Sequence, residues 1–246
     1  MDLNCDLGEG YGVWRMGDDA AVMPFIDRAN IACGFHAGDF AIMQSTVRLA
    51  KEHGVKVGAH PSYPDRHGFG RRSMNFSADD IRAQLLYQIG ALQAVCHAEQ
   101  IPLHYVKPHG ALYNDMQNDV ALFTQVVQTL GELNRGRAQP LQLMTLAKLQ
   151  REREQEIAAK YDVELLFEAF ADRCYESNGH LRARSFEGAV LHDQDAIVAQ
   201  ALAFARGNSI MTHDGSELLL QADTLCVHGD NPKALAVVKA IRAEIL

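Results

Sequence analysis

The 246-residue sequence has few aromatic residues and no basic segment. Aromatic side chains make up 7% of the chain, and the formal net charge is −8 at pH 7. A surface that binds nucleic acid or an anionic membrane needs clustered Lys and Arg side chains. The composition therefore disfavours both kinds of partner.

The sequence also lacks paired cysteines and long apolar runs. Its five cysteines include no CxxC pair, so they indicate neither a zinc cage nor a disulfide framework. No apolar run approaches the roughly 18 residues that a membrane span requires. The first predicted strand begins at Asp2, which leaves no room for a signal peptide. We therefore expect reduced thiols and a cytoplasmic location.

What the sequence does contain is an alternation of short apolar runs with amphipathic segments. Apolar residues make up 48% of the chain, enough for a large core. Seven runs are predicted as strands: residues 2–7, 28–33, 55–59, 103–106, 141–144, 163–168 and 224–227. Helices are predicted between most of them, and residues 209–223 have the pattern of a hairpin.

Strands that alternate with helices predict a parallel sheet with right-handed crossovers. We therefore predict an α/β fold, an irregular (β/α) barrel of about seven parallel strands, with residues 1–246 forming a single domain. An open doubly wound sheet is the alternative fold. Its usual Gly-rich dinucleotide fingerprint is missing from the sequence.

Titratable residues follow the predicted strands where each strand ends. Asp6 lies at the end of the first, His36 follows the second and His60 the third, and the segment from Lys107 to Asn114, interpreted as a loop, follows the fourth. His228 follows the seventh. Because an α/β barrel places its active site at the carboxyl ends of the strands, we expect these side chains to meet at one rim.

Six segments of the chain resemble the LamB/YcsF family, in the same order. They are DLNCDLGEG at 2–10, NIACGFHAGD at 30–39, GAHP at 58–61, VKPHGALYN at 106–114, FADR at 170–173 and CVHGD at 226–230. The resemblance implies one component of a bacterial ATP-dependent 5-oxoprolinase that works with two further subunits. It also implies a barrel related to those of glycoside hydrolases and polysaccharide deacetylases.

The reaction implied by the resemblance opens the lactam of 5-oxo-L-proline to L-glutamate, with ATP hydrolysed as co-substrate. A neutral lactam carbonyl resists water unless the water is activated, the carbonyl is polarised or its oxygen is phosphorylated. The chain has neither a GxxxxGK[ST] loop nor a kinase signature. We therefore expect the partner subunits to contribute much of the phosphorylation machinery.

Candidate roles follow from residue type and position. The candidate catalytic residues are Asp6, His36, His60, Lys107 and His228. The candidate substrate-binding residues are His109, Asn114, Asp172 and Arg173. A Lys can stabilise an oxyanion or bind phosphate, a neutral His can accept a proton or bind a metal, and an Arg can hold a carboxylate with two hydrogen bonds.

Several alternatives remain open from the sequence. Asp6 is a candidate general base or metal ligand, and the alternative is a structural role, either capping a loop or pairing with Lys107. No HExxH or HxxxH pair occurs, so no metal ligands are predicted, although a divalent ion at the strand ends remains possible. The competing functions are a metal-dependent carbohydrate deacetylase or amidohydrolase, and a binding protein of the complex that only delivers a small acid.

Overall fold

A computed structural model of the chain describes residues 1–227 and 232–245. Its strands are β1 (Asp2–Leu7), β2 (Arg28–Ala32), β3 (Lys56–His60), β4 (Leu103–Val106), β5 (Gln142–Leu146), β6 (Leu165–Phe170), β7 (Ile210–Met211), β8 (Glu217–Leu218) and β9 (Thr224–Val227). Its helices are α1 (Asp19–Val22), α2 (Phe40–His53), α3 (Ala78–Ala98), α4 (Gly110–Asn118), α5 (Val120–Asn134), α6 (Glu152–Lys160), α7 (Gln194–Ala205) and α8 (Pro232–Ile245).

Seven parallel strands close into a barrel in the order β1-β2-β3-β4-β5-β6-β9, with β1 paired to both β2 and β9. The predicted barrel is confirmed, and the open sheet is wrong. Strands β5 and β6 extend two residues beyond their predicted ends, because pairing continues from Leu143 opposite Leu165 to Leu146 opposite Glu168. Sheet pairing, rather than the apolar run, sets where these strands end.

The barrel interior is apolar at one level and polar at the next. Tyr105, Met144 and Leu166 form a small buried cluster. A Cβ atom at Gly58 would lie 2.1 Å from the Tyr105 ring, so only glycine fits there. The Tyr105 hydroxyl donates to Asn30 Oδ1 at 2.6 Å, and thereby joins the apolar level to a buried polar one.

The helices begin and end largely where capping chemistry predicts. The Asp39 side chain accepts hydrogen bonds from the first turn of α2, and Gly54 ends that helix with a φ of 67°. Ser77 caps α3, but the arrangement is not a full capping box. In a capping box the side chain of the third helical residue accepts from the backbone N–H of the capping residue. Here the Asp80 carboxylate accepts instead from the Ser77 hydroxyl, at 2.6 Å.

The segment after β4 differs from its prediction, because residues 110–118 form helix α4 and not a loop. Gly110 has a φ of 57°, and a Cβ atom there would lie 2.4 Å from the carbonyl oxygen of Gly70. This glycine lets the chain at residues 68–70 approach the start of α4 closely. The turn predicted at Gly110 is correct, but the residues that follow it form a helix and not the predicted loop.

Two predictions concern the C-terminal part of the chain. Strands β7 and β8 pair antiparallel with Ile210 opposite Leu218, which confirms the hairpin. The capping residue predicted for the last helix, Asn231, lies outside the described residues. Among residues 1–227 and 232–245, none of the helices combines the length and the apolar character needed to cross a membrane.

Candidate active site at the carboxyl end of the barrel

A cavity of about 950 Å³ opens at the carboxyl ends of the barrel strands. Side chains from the ends of β1, β3 and β4 line it, among them Asp6, His60 and Lys107. Residues 15–17 and 180–184, together with Phe69 and Arg71, form part of its wall. The parallel barrel brings these residues together because every strand delivers its last residues to the same rim.

Lys107 lies at the centre of the polar part of the barrel. Its Nζ atom is 3.0 Å from Asp6 Oδ1 and 3.0 Å from Glu168 Oε2. It also donates to Asn4 Oδ1 at 3.2 Å. Asn30 holds the same Asp6 oxygen from the other side, with a hydrogen bond of 2.8 Å. The ammonium group is thus fixed between two carboxylates at the edge of the cavity.

The charges around Lys107 settle its protonation. Burial alone would lower the pKa of Lys107, but the Asp6 and Glu168 carboxylates outweigh that effect and hold the pKa well above its ordinary value. Burial raises the pKa of Glu168, and the Lys107 ammonium opposes that rise. Lys107 is therefore a permanent cation suited to stabilising an anion, and unsuited to accepting a proton.

Three histidines and one glutamate converge beside this ion pair. We call them the Glu–His cluster: Glu9, His36, His60 and His109. One ligand-type atom from each lies within 4.8 Å of the other three. The His36 and His109 rings stack with their centroids 3.7 Å apart and their planes 4° from parallel. The His60 ring meets His109 edge-on, with a centroid separation of 4.8 Å.

Each ring of the cluster has one nitrogen held by an outer acceptor. His60 Nδ1 lies 2.7 Å from the Lys107 carbonyl oxygen, and His109 Nε2 lies 2.9 Å from the carbonyl oxygen of Phe69. His36 Nδ1 lies 3.0 Å from Ser62 Oγ. The other nitrogens point inward, where His60 Nε2 and His109 Nδ1 are 2.9 Å apart.

The environment of the cluster favours uncharged imidazoles at His36 and His109. Burial, followed by the neighbouring His60, holds the pKa of His36 well below its ordinary value. Burial, followed by His36 and His60, does the same for the pKa of His109. The two stacked rings are therefore neutral near pH 7 and available as hydrogen-bond acceptors or metal ligands.

The predicted substrate-binding residues occupy different positions. Asn114 is exposed on α4 and lines the cavity, and His109 belongs to the Glu–His cluster. Arg173 also lines the cavity, and its guanidinium donates to the carbonyl oxygens of Ala189 and Arg182. Burial, followed by other nearby charges, lowers the pKa of Arg173 to about 10, so it remains charged at neutral pH. Asp172 is half-buried and is not among the residues that line the cavity.

Cationic side chains dominate the outer wall of the cavity. Besides Arg173, the wall includes Arg15, Arg71, Arg182 and Arg184. Guanidinium groups form paired hydrogen bonds with carboxylate and phosphate oxygens. The cavity therefore combines a wall suited to anions with a floor that contains neutral imidazoles and a fixed ammonium group.

The structure brings most of the predicted catalytic residues together. Asp6, His60 and Lys107 meet at the cavity, with the Asp6 Oδ2 atom 3.3 Å from His60 Nε2. His36 lies directly behind them, against the His109 ring. His228 lies outside the described residues, so its predicted position stays a prediction. The roles assigned to these residues also remain predictions.

Three contributors to the site were missed as functional residues, namely Asn4, Asn30 and Glu168. A polar residue that alternates with apolar ones in a strand usually faces solvent. Inside a closed barrel the alternating face points into the interior, so Asn4 and Asp6 share that face with Asn30. Glu168, fully buried in β6, was detectable as an acidic residue at the end of an apolar run.

The geometry supports hydrolysis of a carbonyl compound that carries a negative charge. The Lys107 ammonium can stabilise an oxyanion, and the Asp6 carboxylate can accept a proton from water. The imidazoles can accept protons or bind a metal ion. The arginine wall can hold a carboxylate or a phosphate group.

A family model and two relatives of known name match almost the whole of this chain. The LamB/YcsF family model matches residues 1–246. A Pseudomonas aeruginosa protein named as a 5-oxoprolinase subunit is 53% identical over 243 residues, covering 99% of this chain and 95% of its own length. A Vibrio cholerae protein, also named as a 5-oxoprolinase subunit, is 50% identical over 245 residues, covering 100% of this chain and 97% of its own length.

The fold has a solved relative of high similarity. The crystal structure of the lactam utilization protein from Thermus thermophilus superposes with a TM-score of 0.89 at 40% sequence identity. The match covers 100% of this chain and 95% of that one.

Proposed function

The chain belongs to the LamB/YcsF family, and from that premise we propose that it is the lactam-opening subunit of an ATP-dependent 5-oxoprolinase. The substrate is 5-oxo-L-proline and the product is L-glutamate. The names of relatives about 50% identical to this chain support the assignment. The observation that carries it is the Lys107 ammonium fixed against Asp6 beside three imidazoles at one cavity.

The residues of the cavity suit the chemistry of lactam opening. Water adds to the lactam carbonyl, the ring C–N bond breaks, and the ring nitrogen takes up a proton to become the amine of glutamate. Lys107 stabilises the oxyanion that forms, and Asp6 accepts the proton of the attacking water. Arg173 and the outer arginines hold the substrate carboxylate.

ATP enters this proposal as co-substrate of a complex with two further subunits. The chain contains no P-loop or kinase signature, so the partners supply much of the phosphorylating machinery. The arginine wall then suits a phosphorylated form of the lactam, which carries more negative charge than the lactam itself.

A surface next to the cavity supports contact with a partner subunit. Residues 11–16 project there, with Val13 88% exposed and Trp14 69% exposed. Met16 in the same segment is 48% exposed and also lines the cavity. Adjacent exposed apolar side chains are typical of protein–protein contacts. A partner that binds here contacts the edge of the cavity, because Met16 belongs to both surfaces.

Reconstitution tests the assignment. The chain is mixed with the two candidate partner subunits, 5-oxoproline and ATP, and the release of glutamate is measured. We expect glutamate only when all components are present. Release of glutamate without this chain would refute the assignment, and turnover by this chain alone with ATP would refute the division of labour.

A second candidate function is a metal-dependent amidohydrolase or carbohydrate deacetylase that needs no ATP. The convergence of Glu9 with three imidazoles is the specific observation that favours it. Omitting ATP from the reconstituted reaction separates the two candidates. The ATP-dependent function predicts no glutamate without ATP, whereas the second function predicts hydrolysis that continues.

A further inference from the structure

The hydrogen bonds of the Glu–His cluster determine which imidazole nitrogens face its centre. Two imidazole nitrogens face backbone carbonyl oxygens, which only accept hydrogen bonds. His60 Nδ1 and His109 Nε2 must therefore both carry their protons. In the neutral tautomers that follow, His60 Nε2 and His109 Nδ1 both present lone pairs, yet they lie 2.9 Å apart.

His36 also directs one nitrogen to the centre. Its Nδ1 atom lies 3.0 Å from Ser62 Oγ, a hydroxyl that can either donate or accept, and its Nε2 atom lies 3.0 Å from the carboxylate oxygen Glu9 Oε1. The centre of the cluster thus contains three imidazole nitrogens and one carboxylate oxygen, within 4.8 Å of one another.

The backbone at Phe69 provides independent support. Phe69 has a φ of 54°, a conformation that bulky residues rarely adopt and that costs of order 1–3 kcal/mol. This conformation directs the Phe69 carbonyl oxygen toward His109 Nε2. A bond from the outer nitrogen to a carbonyl oxygen is also how proteins orient the histidines that bind metal ions.

We propose that the Glu–His cluster binds one divalent transition-metal ion, with Zn²⁺ as the best match. The contact between His60 Nε2 and His109 Nδ1 requires a proton or a cation between two lone pairs. A single metal ion can bind all four inward atoms at once. Three nitrogens and one carboxylate oxygen form a ligand set that suits Zn²⁺, whereas Mg²⁺ and Ca²⁺ prefer oxygen ligands.

The distances within the cluster fit this ion. A tetrahedral Zn²⁺ with ligands at about 2.0–2.1 Å separates its ligand atoms by about 3.4 Å. The separations in the cluster are 2.9 Å between His60 and His109, 3.0 Å between His36 and Glu9, and 3.7 Å between His109 and Glu9. These values lie on both sides of the required spacing, and the other separations are within 4.8 Å, so binding requires side-chain movements of up to about 1.5 Å.

The ion would face the cavity, because Glu9, His60 and His109 all line it. A metal ion in that position supplies a Lewis acid for a carbonyl or phosphoryl oxygen. The proposal goes beyond the proposed function, since the ligand geometry stands whether or not a lactam is the substrate. Its test therefore uses metal binding and not turnover.

Isothermal titration of the full chain, prepared with a chelator and then freed of it, measures binding of ZnCl₂. MgCl₂ serves as the control ion. We expect one Zn²⁺ per chain and no competition from Mg²⁺. Titration with CoCl₂ gives a second readout, because the visible absorption of Co²⁺ reports its coordination. Absence of stoichiometric Zn²⁺ binding by the wild-type chain would overturn the proposal.

Matched variants identify the ligands. Glu9→Gln and His109→Gln each remove one ligand and should weaken Zn²⁺ binding by more than about 100-fold, beyond the effect of losing an outer partner. His97→Gln, on the exposed face of α3, should bind like the wild type. If His109→Gln fails to fold, the half-buried Glu9→Gln alone decides. Binding by Glu9→Gln equal to that of the wild type would refute the assigned site.

Discussion

Replacing Lys107 with Met tests whether the ion pair inside the barrel is as tightly coupled as its geometry indicates. The Lys107 side chain is 3% exposed, and two carboxylates lie 3.0 Å from its ammonium. Each attracts it by about 5 kcal/mol at an effective dielectric constant of about 20. The cost of burying the ammonium offsets much of this attraction.

The net effect of the substitution follows from what it leaves behind. Lys107→Met retains most of the side-chain volume but leaves Asp6 and Glu168 without their cation. Removing one member of a buried ion pair costs about 3–5 kcal/mol. We therefore expect urea denaturation to show a free energy of unfolding lower by about 3–5 kcal/mol at pH 7. Arg82→Met breaks the exposed pair with Glu132 and should cost at most about 1 kcal/mol.

The pH dependence of the variant provides a second check. Burial already raises the pKa of Glu168, and Lys107→Met removes the cation that opposes this rise. A carboxyl with a folded pKa above its unfolded value binds more protons in the folded state, so stability falls as pH rises. The variant should therefore regain stability relative to the wild type as the pH is lowered from about 8 to about 5.

A double variant separates loss of the ion pair from loss of packing. Lys107→Met combined with Glu168→Gln removes the Lys107–Glu168 pair and leaves the Asp6 carboxylate, so part of the loss should be recovered, with a coupling of about 1–3 kcal/mol. The reasoning is wrong if Lys107→Met costs no more than the exposed control, or if Glu168→Gln recovers nothing.

Three further outcomes are expected. Gly58→Ala should lower the free energy of unfolding by at least about 3 kcal/mol, because its Cβ would overlap the Tyr105 ring. Gly90→Ala, on α3 with open space around it, should raise the free energy by about 0.5–1 kcal/mol, and urea denaturation measures both. Trp14 is the single tryptophan, so its fluorescence should shift to shorter wavelength when a partner subunit binds, and an unchanged spectrum would place the contact elsewhere. Ser62→Ala removes an outer partner of the Glu–His cluster and should weaken Zn²⁺ binding about 10- to 100-fold, whereas unchanged affinity would contradict a role for Ser62 in orienting His36.

The barrel was predictable because its strands are short apolar runs that end at polar or glycine residues. The sequence also predicted that Asp6, His60 and Lys107 lie at one rim. Parallel strands all run in the same direction, so their carboxyl ends lie together at one end of a closed barrel. Helix α4 was missed because Pro108 and Gly110 resemble the start of a loop. The structure explains why this helix begins with glycine: the backbone of residues 68–70 lies so close to Gly110 that a Cβ atom would not fit.

The composition of the Glu–His cluster was not predictable from spacing. Glu9 follows β1 in a Gly-rich segment, where solvent exposure and a place in the site are equally consistent with the sequence. His109 is the second residue past Lys107, and its ring stacks on one that comes from a different strand end. Such stacking depends on loop conformations, including the positive φ of Phe69, that no local pattern specifies.

The central claim is that the strand-end residues of this barrel open the lactam. The most direct test is steady-state glutamate release from 5-oxoproline and ATP by the reconstituted complex with Asp6→Asn. Asp80→Asn, on the exposed first turn of α3, is the control. With folding and assembly intact, we expect the Asp6 variant to lose at least about 100-fold in kcat and the control to retain full activity. Full activity of the Asp6→Asn complex would contradict the account.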